Sequence, residues 1–255
     1  MFILNCDRAY LFAHPERGLA PDEEARYGAA LSERSRGVPA QYITGHQEFW
    51  GMDLIVGPAV LIPRPETEHV IEAVLELEAS AVGRQASDHL RIVDVGTGSG
   101  CIALALAKEL PRAEIRATDV SAAALEIARA NAARHQLERI HFQQLDLLEG
   151  LSGGFDFVVS NPPYVGESER DCVQLEVRKF EPRGAVFAGP TGMEVISRLV
   201  SQAPAALRPG GWLVMEISGT IAAQVRELLT GWQNLQIRPD LQSIPRVVVA
   251  QRART

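Results

Sequence analysis

Features that announce many common activities are missing from this chain. Three cysteines, Cys6, Cys101 and Cys172, stand far apart in 255 residues, with no paired spacing for zinc or a redox dithiol. Each is expected to be a reduced, partly buried thiol, which fits a cytoplasmic location. The six histidines are scattered and form no His-Glu-x-x-His pattern, so no metal site is expected. No apolar run approaches membrane-spanning length. The stretch from Met1 to Phe12 is broken by Asn5, Asp7 and Arg8, so neither an anchor nor a signal peptide is expected. Positive charge is in deficit: a formal net charge of −7 argues against tight, sequence-independent binding to long nucleic acid, which rewards a basic face. No internal repeat or low-complexity tract stands out.

What is present is ordinary globular material. Hydrophobic residues make up 46% of the chain and charged residues 22%, enough for one large domain or one domain with a small appendage. Pro21-Asp22-Glu23-Glu24 has the signature of a helix start, acids in the first turn, and the pattern runs to Gly37. Two short alternating runs follow, Glu48 to Trp50 and Asp53 to Val56, and the Gly51-Met52 step between them predicts a hairpin. Leu61-Ile62-Pro63-Arg64-Pro65-Glu66-Thr67-Glu68 is a proline-stiffened entry into a helix with the apolar stripe Val70, Ile71, Val74, Leu75 and Leu77. Ala79 to His89 is small and polar and reads as a linker.

From Leu90 strands and helices alternate. Strands are predicted at Leu90–Val95, Glu114–Thr118, Ile140–Leu145, Phe155–Ser160 and Trp212–Ile217, with a last pair at Leu235–Arg238 and Arg246–Ala250. Helices are predicted at Ser99–Leu110, Ala122–His135, Met193–Leu207 and Ile221–Trp232. That alternation implies an α/β fold with a doubly wound, mostly parallel seven-stranded sheet and helices on both faces. Pro209-Gly210-Gly211 reads as a turn launching the fifth strand. Val165 to Gly189, mixed in charge, reads as either a solvated loop or a mobile cover.

Ile92-Val93-Asp94-Val95-Gly96-Thr97-Gly98-Ser99-Gly100 is strand, glycine loop, then helix. Glycines at alternating positions let backbone approach a ligand, and the following helix presents free N–H groups. The Gly-x-Gly-x-Gly spacing differs from the Gly-x-Gly-x-x-Gly fingerprint of dinucleotide binders. A charged Asp94 before the loop suits a cationic ligand better than a pyrophosphate. Asp119 closes the second strand, where such sheets place a carboxylate on ribose hydroxyls; it could equally help cap the next helix. Asp146-Leu147 closes the third strand and suits an adenine between an apolar side chain and a polar rim. Asn161 closes the fourth.

Asn161-Pro162-Pro163-Tyr164 carries the most specific chemistry. An Asn at a strand end can aim its side-chain carbonyl into a cleft. Pro162 keeps a backbone carbonyl but has no N–H, and Pro163 biases it toward an extended shape. Tyr164 adds a flat face and a hydroxyl. Two acceptor oxygens beside an aromatic plate suit a planar NH2 group on a carbonyl or a base ring. Isolated, the tetrapeptide is a turn; four candidates at consecutive strand ends favour a shared site.

The arrangement resembles the class I S-adenosylmethionine-dependent methyltransferases, and Asn-Pro-Pro-Tyr resembles their amino-methylating branch. Gly45-His46-Gln47-Glu48-Phe49-Trp50-Gly51, the Arg64-Pro65-Glu66-Thr67-Glu68 element, Glu181-Pro182-Arg183 and Ile244-Pro245-Arg246-Val247-Val248-Val249 are similar to the PrmC/HemK family, the release factor glutamine methyltransferases. The likeness covers Asn5 to Ala250. It implies that Asp94, Gly96, Thr97, Gly98, Ser99, Gly100, Asp119, Asp146, Leu147 and Asn161 contact S-adenosylmethionine, with S-adenosylhomocysteine as product. It further implies that Asn161, Pro162, Pro163 and Tyr164 clasp a glutamine from the Gly-Gly-Gln loop of class I peptide chain release factors. Arg64, Glu66 and Glu68 are expected to shape the entrance. Glu66 and Glu68 read equally well as first-turn helix acids. Leu147 replaces an aromatic often found there.

The implied layout is a helical docking domain over residues 1–44, shortened relative to the family; a hairpin, Pro-rich segment, helix and linker over 45–89; and a catalytic domain over 90–255. A monomer without a stable nucleic-acid partner is expected. The competing expectations are a ribosomal-protein glutamine methyltransferase, a nucleic-acid amine methyltransferase that flips out its base, and an inactive cofactor-binding protein.

Overall fold

The computed structural model describes residues 1–80 and 89–254, and the linker expected at Ala79–His89 falls largely on residues 81–88, outside them. The chain opens with three helices, α1 (Arg8–Ala13), α2 (Pro21–Ser35) and α3 (Ala40–Thr44). Proline at the first position, with Asp22, Glu23 and Glu24 in the first turn, starts α2 where those signals predict.

A hairpin follows, β1 (His46–Phe49) and β2 (Met52–Ile55). Its turn is Trp50-Gly51, one residue earlier than the Gly51-Met52 step. Both residues have positive φ, 53° and 66°, the geometry that matches strand twist in a two-residue connection. Trp50 is held there by its N–H donating to Glu68 Oε1 at 2.9 Å and its indole N–H donating to Glu109 at 2.9 Å. A 3-10 turn at Pro65–Thr67 then runs directly into α4 (Glu68–Ala79).

The remaining elements are β3 (Arg91–Val95), α5 (Cys101–Glu109), β4 (Glu114–Asp119), α6 (Ala122–Arg134), β5 (His141–Gln144), β6 (Phe155–Ser160), β7 (Val165–Gly166), α7 (Leu175–Phe180), α8 (Arg183–Val186), β8 (Phe187–Gly189), α9 (Glu194–Ala206), β9 (Leu207–Glu216), α10 (Ala222–Leu228), β10 (Gln233–Pro239) and β11 (Pro245–Gln251). Seven strands form one sheet in the order β10-β11-β9-β6-β3-β4-β5. Strands β9, β6, β3, β4 and β5 are parallel, and β11 is antiparallel to both its neighbours.

Side chains alternate across this sheet with the period of two that a pleated strand imposes. Ile92, Phe157, Val159, Val214, Val247 and Val249 pack with residues of α4 and α5 on one face. Val93, Val95, Val158, Leu213, Met215 and Val248 pack with residues of α9 and α10 on the other. All twelve are 2% exposed or less, and each contributes about 1.5–3 kcal/mol of burial. Chain order reverses beside β3: β4 and β5 extend one way, β6 and β9 the other. The crevice at the carboxyl ends of β3 and β6 is where open sheets of this kind bind ligands.

Three local expectations are corrected. Residues 165–189 are not an irregular loop but a folded insert, in which β7 pairs with β8 around a 3-10 turn, α7 and α8. Pro209-Gly210-Gly211 does not launch a strand. It lies inside β9 as a bulge, where pairing with β6 jumps from Phe155–Leu207 to Phe157–Trp212. A Cβ on Gly211 would meet the Phe155 carbonyl at 2.9 Å, so only glycine lets the two strands pass this close. Helix α10 stops at Leu228, ahead of Gly231 with φ 94°, rather than reaching Trp232.

A buried asparagine on α6 fixes the hairpin to the sheet. Asn131 is fully buried; its Oδ1 accepts from the Ile55 N–H at 2.7 Å, and its Nδ2 donates to the Ile55 carbonyl at 3.0 Å and the Ser99 carbonyl at 2.9 Å. Asn131→Ala strips three backbone groups of their partner. It should cost about 2–4 kcal/mol of folding stability, read as a lower urea midpoint at unchanged slope.

Candidate active site

The glycine loop joins β3 to α5 and turns three times through positive φ: Gly96 at 70°, Gly98 at 55° and Gly100 at 87°. Their roles differ. A Cβ on Gly96 or Gly98 would meet nothing within 4 Å, so these two border open space. A Cβ on Gly100 would press Leu104 at 3.2 Å and Ala128 at 3.3 Å, so that glycine serves the packing of α5 on α6. The N–H groups of Gly96 and Thr97 both donate to the Thr118 carbonyl at the end of β4.

Asp94 is completely buried beneath the loop. Its Oδ2 accepts from the Thr97 hydroxyl at 2.6 Å and the Ala103 N–H at 3.2 Å, while Oδ1 has no partner among the described residues. Burial pushes its carboxyl up to about 7; the Thr97 and Ala103 hydrogen bonds oppose this and the charge of Asp119 adds to it. Asp119 Oδ2 accepts from Gly98 N–H at 2.9 Å and its Oδ1 from Ser121 N–H at 2.8 Å. It therefore braces the loop, while Ser121 caps α6 by accepting from Ala124 N–H. Each carboxylate oxygen keeps a further lone pair.

Leu147 sits at φ 56°, with its carbonyl held by the buried Thr118 hydroxyl at 3.1 Å and its side chain packed against the core. Asp146 is turned to Arg198 on α9, 2.7 Å away, and is partly exposed. Gly96–Gly100, Asp119, Leu147 and Asn161 thus share one edge of the sheet, with Asp146 facing its rim.

Beyond the end of β6 opens a cavity of about 380 Å³ bordered by Asn161, Pro162, Pro163 and Tyr164. Leu61 and Arg64 form one wall; Val173, Val177 and Val186 of the folded insert form the other. The Arg64 guanidinium ion-pairs with Glu181, whose other oxygen accepts from Ile62 N–H at 3.0 Å. That buried carboxylate fastens the proline-stiffened entry segment to the insert. Glu68 is a structural helix acid, holding the hairpin turn through Trp50. Burial is the main cause that raises the pKa values of Tyr164 and Glu216, and the charge of nearby Glu66 adds slightly to both.

Two residues absent from the candidate site set lie at its base. Asn161 Nδ2 donates to the Thr67 hydroxyl at 3.0 Å, and that hydroxyl donates to Glu216 Oε2 at 2.6 Å. Tyr164 donates to Glu216 Oε1 at 2.9 Å. Thr67 and Glu216 are each 1% exposed. Burial raises the Glu216 carboxyl above its ordinary range, against the hydroxyl hydrogen bonds and the charge of Arg246. Among the described residues no donor reaches Asn161 Oδ1 or the Pro162 carbonyl.

Comparison with known proteins places this geometry. A model described as methyltransferase small domain matches residues 79–177, and one described as PrmC N-terminal domain matches residues 1–45. The release factor glutamine methyltransferase of Koribacter versatilis is 56% identical, covering 99% of this chain and 88% of that protein. That of Chlorobaculum tepidum is 44% identical, covering 96% and 85%. Among solved structures, the hMettl16 catalytic domain aligns with a TM-score of 0.63 at 18% identity over 98% of this chain and 94% of that chain. The N-terminal domain of human METTL16 in complex with SAH aligns at 0.55 and 20% identity, over 90% and 82%. At such identities the likeness is one of fold, and the fold is that of the class I methyltransferases.

Asp94 makes stability depend on pH in the absence of ligand. Its folded pKa of about 7 exceeds the ordinary 3.8, so the folded chain holds a proton that the unfolded chain has released. That contribution is complete below the unfolded value and is lost as pH rises through about 7. Asp94→Asn, neutral throughout, should gain in melting temperature relative to the parent as pH rises from about 4 to about 8. A difference that stays flat over that range would mean Asp94 is ionised in the fold.

Proposed function

The chain belongs to the PrmC/HemK family of release factor glutamine methyltransferases, and on that premise we propose that it methylates the side-chain amide nitrogen of the glutamine in the Gly-Gly-Gln motif of class I peptide chain release factors. S-adenosylmethionine supplies an electrophilic methyl group on a sulfonium centre. The residues assigned to hold it are Asp94, Gly96, Thr97, Gly98, Ser99, Gly100, Asp119, Asp146, Leu147 and Asn161. They fit such a group: Gly96 and Gly98 border open space, and the unpartnered oxygen of buried Asp94 suits a cation.

An amide nitrogen is a poor nucleophile because its lone pair is delocalised into the carbonyl. The task left to the protein is to localise that pair and fix the approach. We assign one amide hydrogen to Asn161 Oδ1 and the other to the Pro162 backbone carbonyl. Both hydrogen bonds strengthen as the nitrogen gains positive charge, so they stabilise the transition state more than the ground state. Pro163 and Tyr164 exclude water from the amide plane, and Arg64 and Glu66 shape the entrance. The positively charged product nitrogen sheds its proton without a dedicated base.

The observation that carries this assignment is the pinned Asn161 amide. Its NH2 end is taken by Thr67 at 3.0 Å, leaving the oxygen for the cavity. Substrate docking is assigned to residues 1–44, ahead of the hairpin, helix and linker of 45–89 and the catalytic region of 90–255. Phe12, Tyr27 and Leu31 are exposed in the docking region. A monomer acting in the cytoplasm, without a stable nucleic-acid partner, completes the proposal; among the described residues no helix is long and apolar enough to cross a membrane.

Mass spectrometry of purified release factor after incubation with enzyme and S-adenosylmethionine should find a single added methyl, on the Gly-Gly-Gln glutamine. Methyl transfer to ribosomal protein or nucleic acid instead would overturn the substrate assignment. Asn161→Ala should lower turnover by about 10²–10³-fold with a smaller loss of cofactor affinity. Asp119→Ala should act chiefly on cofactor binding, and unchanged affinity by calorimetry would remove Asp119 from that role.

A further inference from the structure

The two ends of a primary amide have nearly the same shape, so packing alone does not decide which end of Asn161 faces the cavity. Hydrogen bonding does. The Thr67 hydroxyl carries one proton and lies 2.6 Å from the Glu216 carboxylate and 3.0 Å from the Asn161 amide. With that proton donated to Glu216, Thr67 offers Asn161 only lone pairs, which only an NH2 group can meet.

We propose that Thr67 and Glu216 are positioning residues for methyl transfer: the Glu216 carboxylate orients the Thr67 hydroxyl, which holds the Asn161 amide with its oxygen toward the substrate nitrogen. The inference rests on the clasp role assigned to Asn161 above. A reversed Asn161 would aim its own N–H donors at the N–H groups of the substrate amide, replacing attraction with repulsion at the reacting nitrogen. Neither positioning residue borders the cavity, so each acts through a neighbour. Both are 1% exposed, so bulk water does not compete for their hydrogen bonds. The other Glu216 oxygen takes the Tyr164 hydroxyl at 2.9 Å. One carboxylate thereby sets both the amide and the aromatic part of the tetrapeptide.

The test is a double-mutant cycle on kcat, with KM for release factor and cofactor affinity measured alongside. Thr67→Val, which keeps the shape and removes the hydroxyl, should lower kcat about 10–100-fold, with KM and cofactor affinity within about threefold of the parent. Thr67→Ser, which retains the hydroxyl, should recover most of that loss. In an Asn161→Ala background Thr67→Val should add no further loss, because it acts through the side chain already removed. Parent-level kcat in Thr67→Val, or a fully additive loss in the double variant, overturns the inference. Parent-level kcat in Asn161→Ala alone overturns instead the clasp assignment beneath it. Should Thr67→Val fail to fold, Glu216→Gln serves in its place. It loses one acceptor and should lower kcat with KM retained; unchanged kcat there also overturns the proposal.

Discussion

Three segments far apart in the chain meet at one carboxylate. Glu216 closes β9 in the middle of the sheet, Thr67 arrives from the 3-10 turn before α4, and Tyr164 ends the tetrapeptide after β6. A carboxylate taken from water into such a place is strongly unfavourable unless its oxygens are hydrogen-bonded. Here each oxygen receives one hydroxyl proton, and the nearby cation Arg246, paired to Asp240 at 3.0 Å, offsets the remaining charge. The constraint works in both directions. Glu216 needs both donors to remain buried, so the two segments that carry them must dock in one arrangement. The substrate side of the site is therefore shaped by a buried polar group that never touches the cavity.

The cofactor side is built differently. There the chain relies on backbone shape: three positive-φ glycines, two N–H groups delivered to the Thr118 carbonyl, and the Asp119 carboxylate bracing Gly98. Only Asp94 brings a buried carboxyl group, and it lies beneath the loop. Backbone and glycine suit a ligand that must be approached closely along its whole length. A side-chain network suits an acceptor of a few atoms whose two hydrogens must each find an oxygen.

Much of this was legible in the residues, for physical reasons that also mark the limits. The sheet strands alternate or run continuously apolar, and their predicted bounds fall within one or two residues of the observed ones, except at the start of β9. There Pro209-Gly210-Gly211 carries turn chemistry but sits in a bulge, because β6 comes too close for any side chain at Gly211. The insert at 165–189 escaped because none of its helices or strands exceeds six residues, too short for a hydrophobic period to show. Its order comes from long-range contacts such as Arg64 with Glu181. Glu216 lies at the end of an apolar run, where an acid ordinarily faces solvent. Asn131 sits in an alanine-rich stretch that reads as surface helix. In both, function depends on a partner more than 50 residues away, and no local pattern reports such a partner.

The two halves of the site are joined by their shared strand edge. Val95 pairs with Ser160, and the Ser160 hydroxyl donates to the Val95 carbonyl at 2.7 Å, tying the end of β6 to the end of β3. Gly96 and Asn161 follow immediately, so the first loop glycine and the clasping amide leave the sheet from a single crosslinked pair. On the far side, Asn131 grips the Ser99 carbonyl and β2 together, linking the same loop to the hairpin. Turn residue Trp50 of that hairpin is bound by Glu68, one residue after Thr67. The path from loop to hairpin to Thr67 to Asn161 closes a ring around the cleft. Misplacing an acceptor by about 1 Å can cost two orders of magnitude in rate, and a closed ring of buried and part-buried hydrogen bonds restrains such displacement where a single contact would not.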